Sequence, residues 1–290
     1  MAVSNSLTTK ANQKMGMTAY LTQDAVKQNI NNVVGGKNGT RFITSIVSAV
    51  QNNPQLQECT NQSILSAALL GESLNLSPSP MLGYFYMVPF NDKNRGKVAQ
   101  FQIGYKGLIQ LAIRSGQYKK INVMAIKKGE LEYFDPLNED IKVNLMVDDW
   151  NAREQAETIG YYATFELVNG FKKSIYWSKE QMEAHALQYS QGYRAKKGYT
   201  FWEKDFDAMA YKTMLRQLLS KWGIMSTEMV SAIDSDETVI NEDGTKTYVE
   251  TDEIVDAPVT PAPEPEKEEK KPEPAAAPED DPAAALFGGK

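Results

Sequence analysis

The chain has 290 residues, enough for one large domain or two small ones, and 31 Lys+Arg against 37 Asp+Glu give a formal net charge of −6. A single cysteine and a single histidine exclude a structural Cys/His zinc cluster and a disulfide framework, so we expect a reducing compartment such as the cytoplasm. The sequence shows no secretory signal and no apolar run long enough for a membrane span.

The charge is unevenly distributed along the chain. Residues 231–290 hold 17 acidic and 5 basic residues together with 8 of the 13 prolines, whereas residues 1–230 hold 26 basic and 20 acidic residues. A segment of that composition buries too little apolar surface to offset chain entropy. We therefore predict a disordered acidic, Pro-rich tail over residues 231–290, beginning at about Ser235. It would act as a solvating segment, as a competitor of nucleic acid, or as a partner-docking tether.

The first part of the chain predicts helices. Residues 1–39 are interpreted as a flexible arm that carries one helix. Apolar periodicity and capping residues predict three helices over Thr22–Val34, Thr40–Asn52 and Asn61 to about Leu74, the last with Thr60 or Asn61 as its N-cap. The Ser-Pro-Ser-Pro stretch over residues 77–80 ends this helical part.

Strand patterns follow. Leu82–Phe90 and Val98–Ile103 predict a β-hairpin with a basic tip, and Lys120–Lys127 predicts a further strand. Between them a short helix over Tyr105–Ser115 ends at Gly116. The clearest hairpin joins Ile159–Val168 to Phe171–Trp177 through Asn169-Gly170, a pair that suits a type I′ turn.

The last ordered part is again helical. Ser178 and Gln181 form a capping-box pattern, and a final helix is predicted from about Trp202 to Trp222, before Gly223. The fold class is therefore α+β: N-terminal helices, a small antiparallel β-sheet with hairpins, C-terminal helices and a disordered acidic tail.

The segment Lys93–Gly129 holds nine basic residues and no acidic one. Within it Lys106, Gln110 and Arg114 are spaced by four, so they share one face of the short helix and could contact a phosphate backbone. A solvated helix face is the other interpretation. Because no acidic residue balances the charge, we favour anion binding.

A second basic element surrounds the start of the last helix. Arg194, Lys196 and Lys197 lie in a loop rich in Gly and Tyr, and Trp202 follows them. Aromatic faces among cations could stack on unpaired bases, although any one aromatic residue is more often part of a core. The helix itself carries Lys212, Arg216 and Lys221.

The sequence contains no phosphate-binding glycine motif of the P-loop or dinucleotide type, so we expect neither ATP nor a dinucleotide cofactor. Asp135, Asp140 and Lys142 form a loose D…D-x-K pattern, which keeps a metal-dependent nuclease open as a minor alternative. We expect no metal site and no other cofactor.

Several long blocks together resemble one family. They are Ser45–Pro80, LGYFYMVPF, FQIGYKGLIQLAIRSGQYKKINV (Phe101–Val123), GYYATFELVNGFKKSIYW (Gly160–Trp177) and FDAMAYKTMLRQLLSKWGIMS (Phe206–Ser226). Over about residues 40–230 the chain resembles the RecT family of phage-type single-strand DNA annealing proteins. The resemblance marks residues 40–230 as a DNA-binding and annealing core.

The resemblance implies a recombinase that is not an enzyme and that needs no ATP. It would bind single-stranded DNA, assemble into rings or helical filaments, and anneal complementary strands into duplex in the cytoplasm of a bacterial host. A 5′→3′ exonuclease and the host single-strand-binding protein are the implied partners. A passive single-stranded DNA-binding protein remains the alternative function, and a nuclease the third.

The candidate DNA-binding residues come from two sources. The family motif carries over Gln102, Lys106, Arg114, Tyr118, Lys119, Lys120, Lys212, Arg216 and Lys221. Charge and aromatic content add Lys93, Arg95, Lys97, Gln110, Lys196, Lys197 and Trp202.

Overall fold

The computed structural model describes residues 15–35, 38–92, 95–198, 200–241 and 245–248. Its first part consists of α1 (Met17–Leu21), α2 (Asp24–Val34), α3 (Gly39–Gln51), α4 (Pro54–Glu58) and α5 (Asn61–Ser73). The three predicted helices correspond to α2, α3 and α5. The five-residue helices α1 and α4 are not predicted by the sequence, because they are too short for an apolar period to show.

The N-terminal arm is more ordered than the sequence predicts over residues 15–35. Leu21 and Ile30 are fully buried, so α1 and α2 form part of the core. Residues 1–14, the remainder of the predicted arm, lie outside the described residues.

Helix α5 is fixed against the first sheet by its own cap. The Thr60 side chain accepts a hydrogen bond from the Ser63 N–H, which confirms Thr60 as the N-cap. The Ser63 hydroxyl in turn accepts from the Ala99 N–H at 2.8 Å, which ties α5 to a neighbouring strand.

That sheet has the order β1-β2-β8-β9 and is antiparallel, with β1 (Phe85–Asp92), β2 (Gly96–Ile103), β8 (Thr238–Ile240) and β9 (Lys246–Tyr248). The predicted hairpin is therefore confirmed as β1–β2. Pro89 lies in β1, an edge strand, where a residue without an N–H is tolerated.

The predicted start of the disordered tail is wrong. Helix α12 (Thr227–Asp234) and strand β8 extend the fold past residue 231, and Ser235, Asp236 and Thr238 are buried. The composition of the whole segment does not reveal this local order, because a few buried apolar residues and one carboxylate that pairs with cations are enough to produce it. Residues 242–244 and 249–290 lie outside the described residues.

The second sheet has the order β3-β6-β7, with β3 (Tyr118–Lys127), β6 (Thr158–Leu167) and β7 (Lys172–Ser178), all antiparallel. Alternate residues of β6, namely Tyr161, Ala163, Phe165 and Leu167, are buried. These side chains form the face that packs against the C-terminal helices.

The turn between β6 and β7 is not of the predicted type I′. Gly170 has φ +88°, but Asn169 does not have a positive φ. The Gly170 N–H donates to the Leu167 carbonyl at 3.0 Å, and the Leu167 N–H donates to the Phe171 carbonyl at 2.8 Å. Three residues thus close the hairpin as a type I turn followed by a left-handed glycine bulge.

Between the two long hairpins lies a small accessory unit that the sequence does not predict. It consists of β4 (Leu131–Asp135), β5 (Asp140–Val143) and α7 (Trp150–Gln155). The buried Glu130 carboxylate accepts from the Arg153 guanidinium at 2.7 and 3.1 Å. Burial opposes ionisation of Glu130, but this ion pair and two backbone N–H groups hold its pKa below the ordinary value.

The remaining helices are α6 (Tyr105–Arg114), α8 (Lys179–Tyr189), α9 (Gln191–Arg194), α10 (Phe201–Lys204) and α11 (Phe206–Trp222). The capping box of Ser178 and Gln181 is confirmed at α8. The predicted final helix is divided at Asp205, whose side chain accepts from the Ala208 N–H and so begins α11. Asp205 is therefore the N-cap of α11.

A single main core joins these layers. Leu65 of α5, Phe85 and Phe101 of the first sheet, Phe165 of the second sheet and Leu218 of α11 belong to one buried cluster. Helix α6 contributes Leu108, Leu111 and Ala112 to the same cluster. Any loop attached to this core is consequently held on a rigid support.

Candidate nucleic-acid interface

The N-terminal turn of α6 is in close contact with the loop that precedes β1. A Cβ atom at Gly104 would lie 2.2 Å from the Gly83 carbonyl oxygen, and one at Gly107 would lie 2.1 Å from the Tyr84 carbonyl oxygen. The Gly104 N–H also donates to the Tyr84 carbonyl at 2.9 Å. Glycine is required at both positions, and this contact fixes where the side chains of the first helical turn lie.

Lys106 emerges from this turn as an exposed cation. Its Cδ atom lies 3.5 Å from the position of a Cβ atom at Gly83. No carboxylate of the described residues forms a salt bridge with Lys106. Gly104 provides no side-chain cap, so the N–H groups of this helix end add a partial positive charge beside the lysine.

One ring contact connects the surroundings of α6 to α10, the helix that follows the second basic element. The rings of Tyr86 and Phe201 are 5.9 Å apart, and Asp205 lies close enough to add to the effect of burial in raising the pKa of Tyr86 and of Tyr105. Tyr86 therefore links α6 to α10. The exposed loop over residues 194–198 leads into α10. This loop carries Arg194, Lys196 and Lys197.

Local geometry shapes this loop. Lys196 has φ +50°, and its N–H donates to the Tyr193 carbonyl at 3.0 Å. The Gly198 N–H donates to the Glu203 carboxylate at 2.9 Å, and Glu203 also completes a capping box with Thr200. The loop is thus anchored at both ends while its lysines point to solvent.

Two predicted aromatic contacts are core residues. Trp202 is 7% exposed and packs with Phe206, Tyr193 and His185. Tyr118 is 9% exposed, its hydroxyl donates to the Ile224 carbonyl at 3.0 Å, and burial raises its pKa to about 12. Neither ring is open to a base, so we exclude both from the interface.

Two predicted cations of α11 are occupied by a carboxylate. The Lys212 ammonium lies 3.0 Å from one oxygen of the buried Asp236, and the Arg216 guanidinium lies 2.5 Å from the other. Lys212 itself is only 7% exposed. Both cations hold the segment after α12 on the core, and of the two the Arg216 side chain stays partly exposed, at 37%.

Arg114 also has an internal partner. Its guanidinium donates to the Asn75 and Leu74 carbonyls at 3.0 and 3.1 Å, at the end of α5, and to the Gln110 carbonyl at 3.3 Å. The C-terminal carbonyls of a helix favour such a cation. Gln110 is half-buried on the same face, so Lys106 is the cation of this face that is not held by carbonyls.

The basic tip of the first hairpin is neutralised locally. Arg95 donates twice to Asp92, at 2.8 and 3.0 Å, and once to Asn241 at 2.6 Å, while Lys97 pairs with Glu58. Lys93 lies outside the described residues. Gln102 is half-buried in β2.

A smaller group of lysines lies at the other end of α11. Lys119 pairs with Glu166 at 2.7 Å, and this bond holds the pKa of Glu166 below its ordinary value. Lys120 and Lys221 are exposed and form no salt bridge among the described residues. They lie near Tyr118 and its partner Ile224, and α11 separates them from Tyr105 and Lys106.

Lys106, Lys196 and Lys197 are thus exposed, and the ring contact between Tyr86 and Phe201 connects the surroundings of Lys106 to the helix that follows the loop of the other two lysines. The structure adds features that charge counting misses: the linking ring Tyr86, and the loop residues Met81 and Leu82, which are 85% and 41% exposed. The aromatic block LGYFYMVPF is the sequence signal for this loop.

An α+β fold that presents exposed cations beside half-buried tyrosines has the features expected of a nucleic-acid-binding protein. The RecT family model matches residues 40–252, and the chain belongs to that family, whose members anneal single-stranded DNA in recombination. The chain is 42% identical over 242 residues to "Uncharacterized protein YqaK" of Bacillus subtilis (strain 168), which covers 83% of this chain and 79% of the relative. It is 30% identical over 200 residues to "Protein RecT" of Escherichia coli (strain K12), and this match covers 68% of this chain and 71% of the relative.

A metal centre and a membrane-spanning helix are both absent from the described residues. Within them, no His, Cys, Asp and Glu side chains gather in a group of three that could hold a metal ion. The Asp135 carboxylate accepts from the Leu137 N–H and the Asn138 side chain, which closes the β4–β5 turn. None of the described helices combines the length and the apolar character needed to cross a membrane.

Proposed function

We propose that this protein binds single-stranded DNA and anneals complementary strands without ATP or any other cofactor, and without cutting the DNA. The observation that supports it most is the position of Lys106. It lies exposed at an uncapped helix end, and the ring contact between Tyr86 and Phe201 connects its surroundings to α10, which follows the loop of Arg194, Lys196 and Lys197. A passive single-stranded DNA-binding protein is the alternative, and a metal-dependent nuclease is the third.

The mechanism uses phosphate neutralisation and base pairing. Cations that contact a phosphate backbone release condensed counterions, which makes binding favourable and dependent on salt. A strand held by its backbone leaves its base edges free to pair with a second strand. Watson–Crick pairing and stacking then supply the free energy, so no nucleotide hydrolysis is required, and pairing supplies the sequence specificity.

Partners follow from the same proposal. One protomer offers few cations, so side-by-side assembly into a ring or helical filament is needed to hold a long strand. A 5′→3′ exonuclease would expose the strand, and the host single-strand-binding protein would occupy it first. The cytoplasm of a bacterial host is the compartment in which these partners meet.

The test is annealing of two complementary fluorophore-labelled oligonucleotides without ATP, with and without EDTA, at two salt concentrations. We expect pairing that is faster than the spontaneous reaction, unaffected by EDTA and weaker at high salt. Slower pairing despite binding would indicate a passive coat protein. Oligonucleotides that become shorter only when Mg²⁺ is present would indicate a nuclease.

A further inference from the structure

The loop between α5 and β1 presents two large apolar side chains to solvent. Met81 is 85% exposed and Leu82 is 41% exposed, and they are consecutive in the chain. Single exposed apolar residues are ordinary on protein surfaces. An adjacent pair at the tip of a tight turn is a more specific feature.

The loop holds these side chains in place. The Leu82 N–H donates to the Ser79 carbonyl at 3.1 Å, and the Gly83 N–H donates to the Pro80 carbonyl at 3.2 Å. Gly83 has φ +64°, and Pro78 is buried at the base of the loop. The turn is therefore anchored on the core, and its tip is presented in a defined orientation.

The apolar tip is next to the cation of the proposed interface. Gly83, which follows Leu82 directly, lies against the Lys106 side chain and the Tyr86 hydroxyl, at 3.5 and 2.9 Å from the position of its missing Cβ atom. The carbonyl of Gly83 also contacts the start of α6 at Gly104. A phosphate bound at Lys106 would thus have Met81 and Leu82 beside it.

We infer that Met81 and Leu82 form an apolar platform for the nucleobases of the strand whose phosphates contact Lys106. This inference rests on the proposed function. Base faces are apolar and polarisable, and side chains such as Met and Leu are able to pack against them or enter between two neighbouring bases. Such a contact tolerates every sequence, as an annealing protein requires.

The surroundings favour a base over a second protein as the occupant. The pair is flanked by the cation Lys106 and by the polar residues Ser77 and Ser79, so the apolar area is narrow. A stable protein interface needs a much wider buried core. An unpaired nucleotide presents an apolar base next to an anionic phosphate, which matches this arrangement.

The first experiment compares the wild type with the double variant M81S/L82S on two single strands, a normal one and one with abasic sites at its centre. We expect the variant to bind normal DNA about tenfold more weakly and abasic DNA as well as the wild type does. The dependence of affinity on salt should stay the same, because an apolar contact releases no counterions.

A second readout is the fluorescence of 2-aminopurine in the bound strand. The wild type should raise it by unstacking the base, and M81S/L82S should raise it less. Leu137→Ser is the matched control, because Leu137 is 88% exposed at the β4–β5 turn, and it should behave as the wild type. Thermal unfolding of each variant checks that the fold is retained.

Equal affinity of wild type and M81S/L82S for both strands would overturn the inference. An equal loss on normal and abasic DNA, together with a smaller assembly in sedimentation, would overturn it in favour of contact with a second copy. If the wild type itself fails to anneal, the proposed function fails; if the wild type anneals and M81S/L82S does so equally well, the inference alone fails.

Discussion

Lys106 and Arg114 lie about two turns apart on the same face of α6, yet their surroundings differ. Arg114 donates to carbonyls at the end of α5, whereas Lys106 faces solvent at an uncapped helix start. A cation already bonded to carbonyls would lose those bonds on binding a phosphate. The two residues should therefore contribute to different properties of the protein.

We expect Lys106→Ala to weaken single-stranded DNA binding and to lower the slope of log K against log salt by about 0.7, the value for one phosphate contact on a single strand. Fluorescence anisotropy titrations at several salt concentrations measure this slope. Lys142→Ala is the charge-matched control and should retain the slope. It removes a lysine of β5 that pairs with Glu132 of β4. An unchanged slope in Lys106→Ala would remove Lys106 from the interface.

Arg114→Ala should instead lower the free energy of unfolding by about 1–2 kcal/mol, because carbonyls at the end of α5 lose their donors. Urea unfolding measures the loss. The salt slope of DNA binding should remain close to that of the wild type. A clear fall in the slope without a loss of stability would return Arg114 to the DNA-binding set.

The protonation of His185 makes the free energy of unfolding depend on pH, and the direction follows from the lowered pKa of this residue. Burial and Arg216 lower its pKa, while Glu237 opposes them. In the unfolded chain His185 takes a proton near pH 6.5. Below that pH the unfolded state binds more protons than the folded state, so the free energy of unfolding falls as the solution is acidified.

We expect His185→Gln to be less stable at every pH, because the ring packs 4.5 Å from Tyr189, but to show a flatter decline between about pH 7 and pH 5.5. Urea unfolding at closely spaced pH values tests this. Parallel pH curves for the wild type and the variant would show that other groups cause the decline.

At the scale of elements, the segment after α12 illustrates how one carboxylate orders a strand. Asp236 accepts from Lys212, Arg216 and the Ile103 N–H, the last at 3.0 Å. These bonds dock β8 beside β2, where Phe101 pairs with Thr238. Lys212 and Arg216, which the sequence predicts as DNA contacts, thus have a structural partner in Asp236.

Asp236→Ala should lower the free energy of unfolding by about 3–5 kcal/mol, because it removes the nearest counter-charge of the buried Lys212, whose remaining partner is the exposed Glu237 at 3.8 Å. Glu157→Ala removes an exposed partner of Lys128 and should cost less than about 1 kcal/mol. A chain ending after residue 248 should unfold like the full chain, whereas one ending after residue 234 should be much less stable. Equal stability of the two truncated chains would contradict a structural role of this segment.

The elements predicted correctly have strong local signals. In the β1–β2 hairpin the first strand is rich in aromatic residues and the second alternates apolar and polar residues, the β6–β7 hairpin has an Asn-Gly turn, and α8 has a capping box. The elements α4, β4, β5 and β8 are too short for such patterns. Strand β8 depends moreover on the distant cations of α11, which no local window includes.

The candidate site was predictable only in part, for a related reason. Charge and helical spacing indicate Lys106, and the loop composition indicates Lys196 and Lys197. They do not show whether a cation meets a carbonyl, a carboxylate or solvent. Arg114 and Lys212 have internal partners because the chain folds α5 and the segment after α12 against them.

At the scale of the whole molecule, the acidic charge is concentrated at one end of the sequence. Residues 249–290 hold 12 acidic and 4 basic residues, while residues 1–248 hold 27 basic and 25 acidic residues. If this segment acts as a competitor of nucleic acid, one of the three roles considered above, its net negative charge would compete with phosphates for exposed lysines such as Lys106. It would thereby weaken DNA binding at low ionic strength, where screening is slight.

Deletion of residues 249–290 should therefore leave single-stranded DNA binding intact or tighten it, with a larger effect at low salt than at high salt. A variant of full length whose acidic residues after position 249 are replaced by Gln or Asn separates charge from chain length and should behave like the deletion. Anisotropy titrations at two salt concentrations compare the three proteins. Loss of binding on deletion, with binding retained in the neutralised variant, would instead show that this segment itself contributes to the contact with DNA.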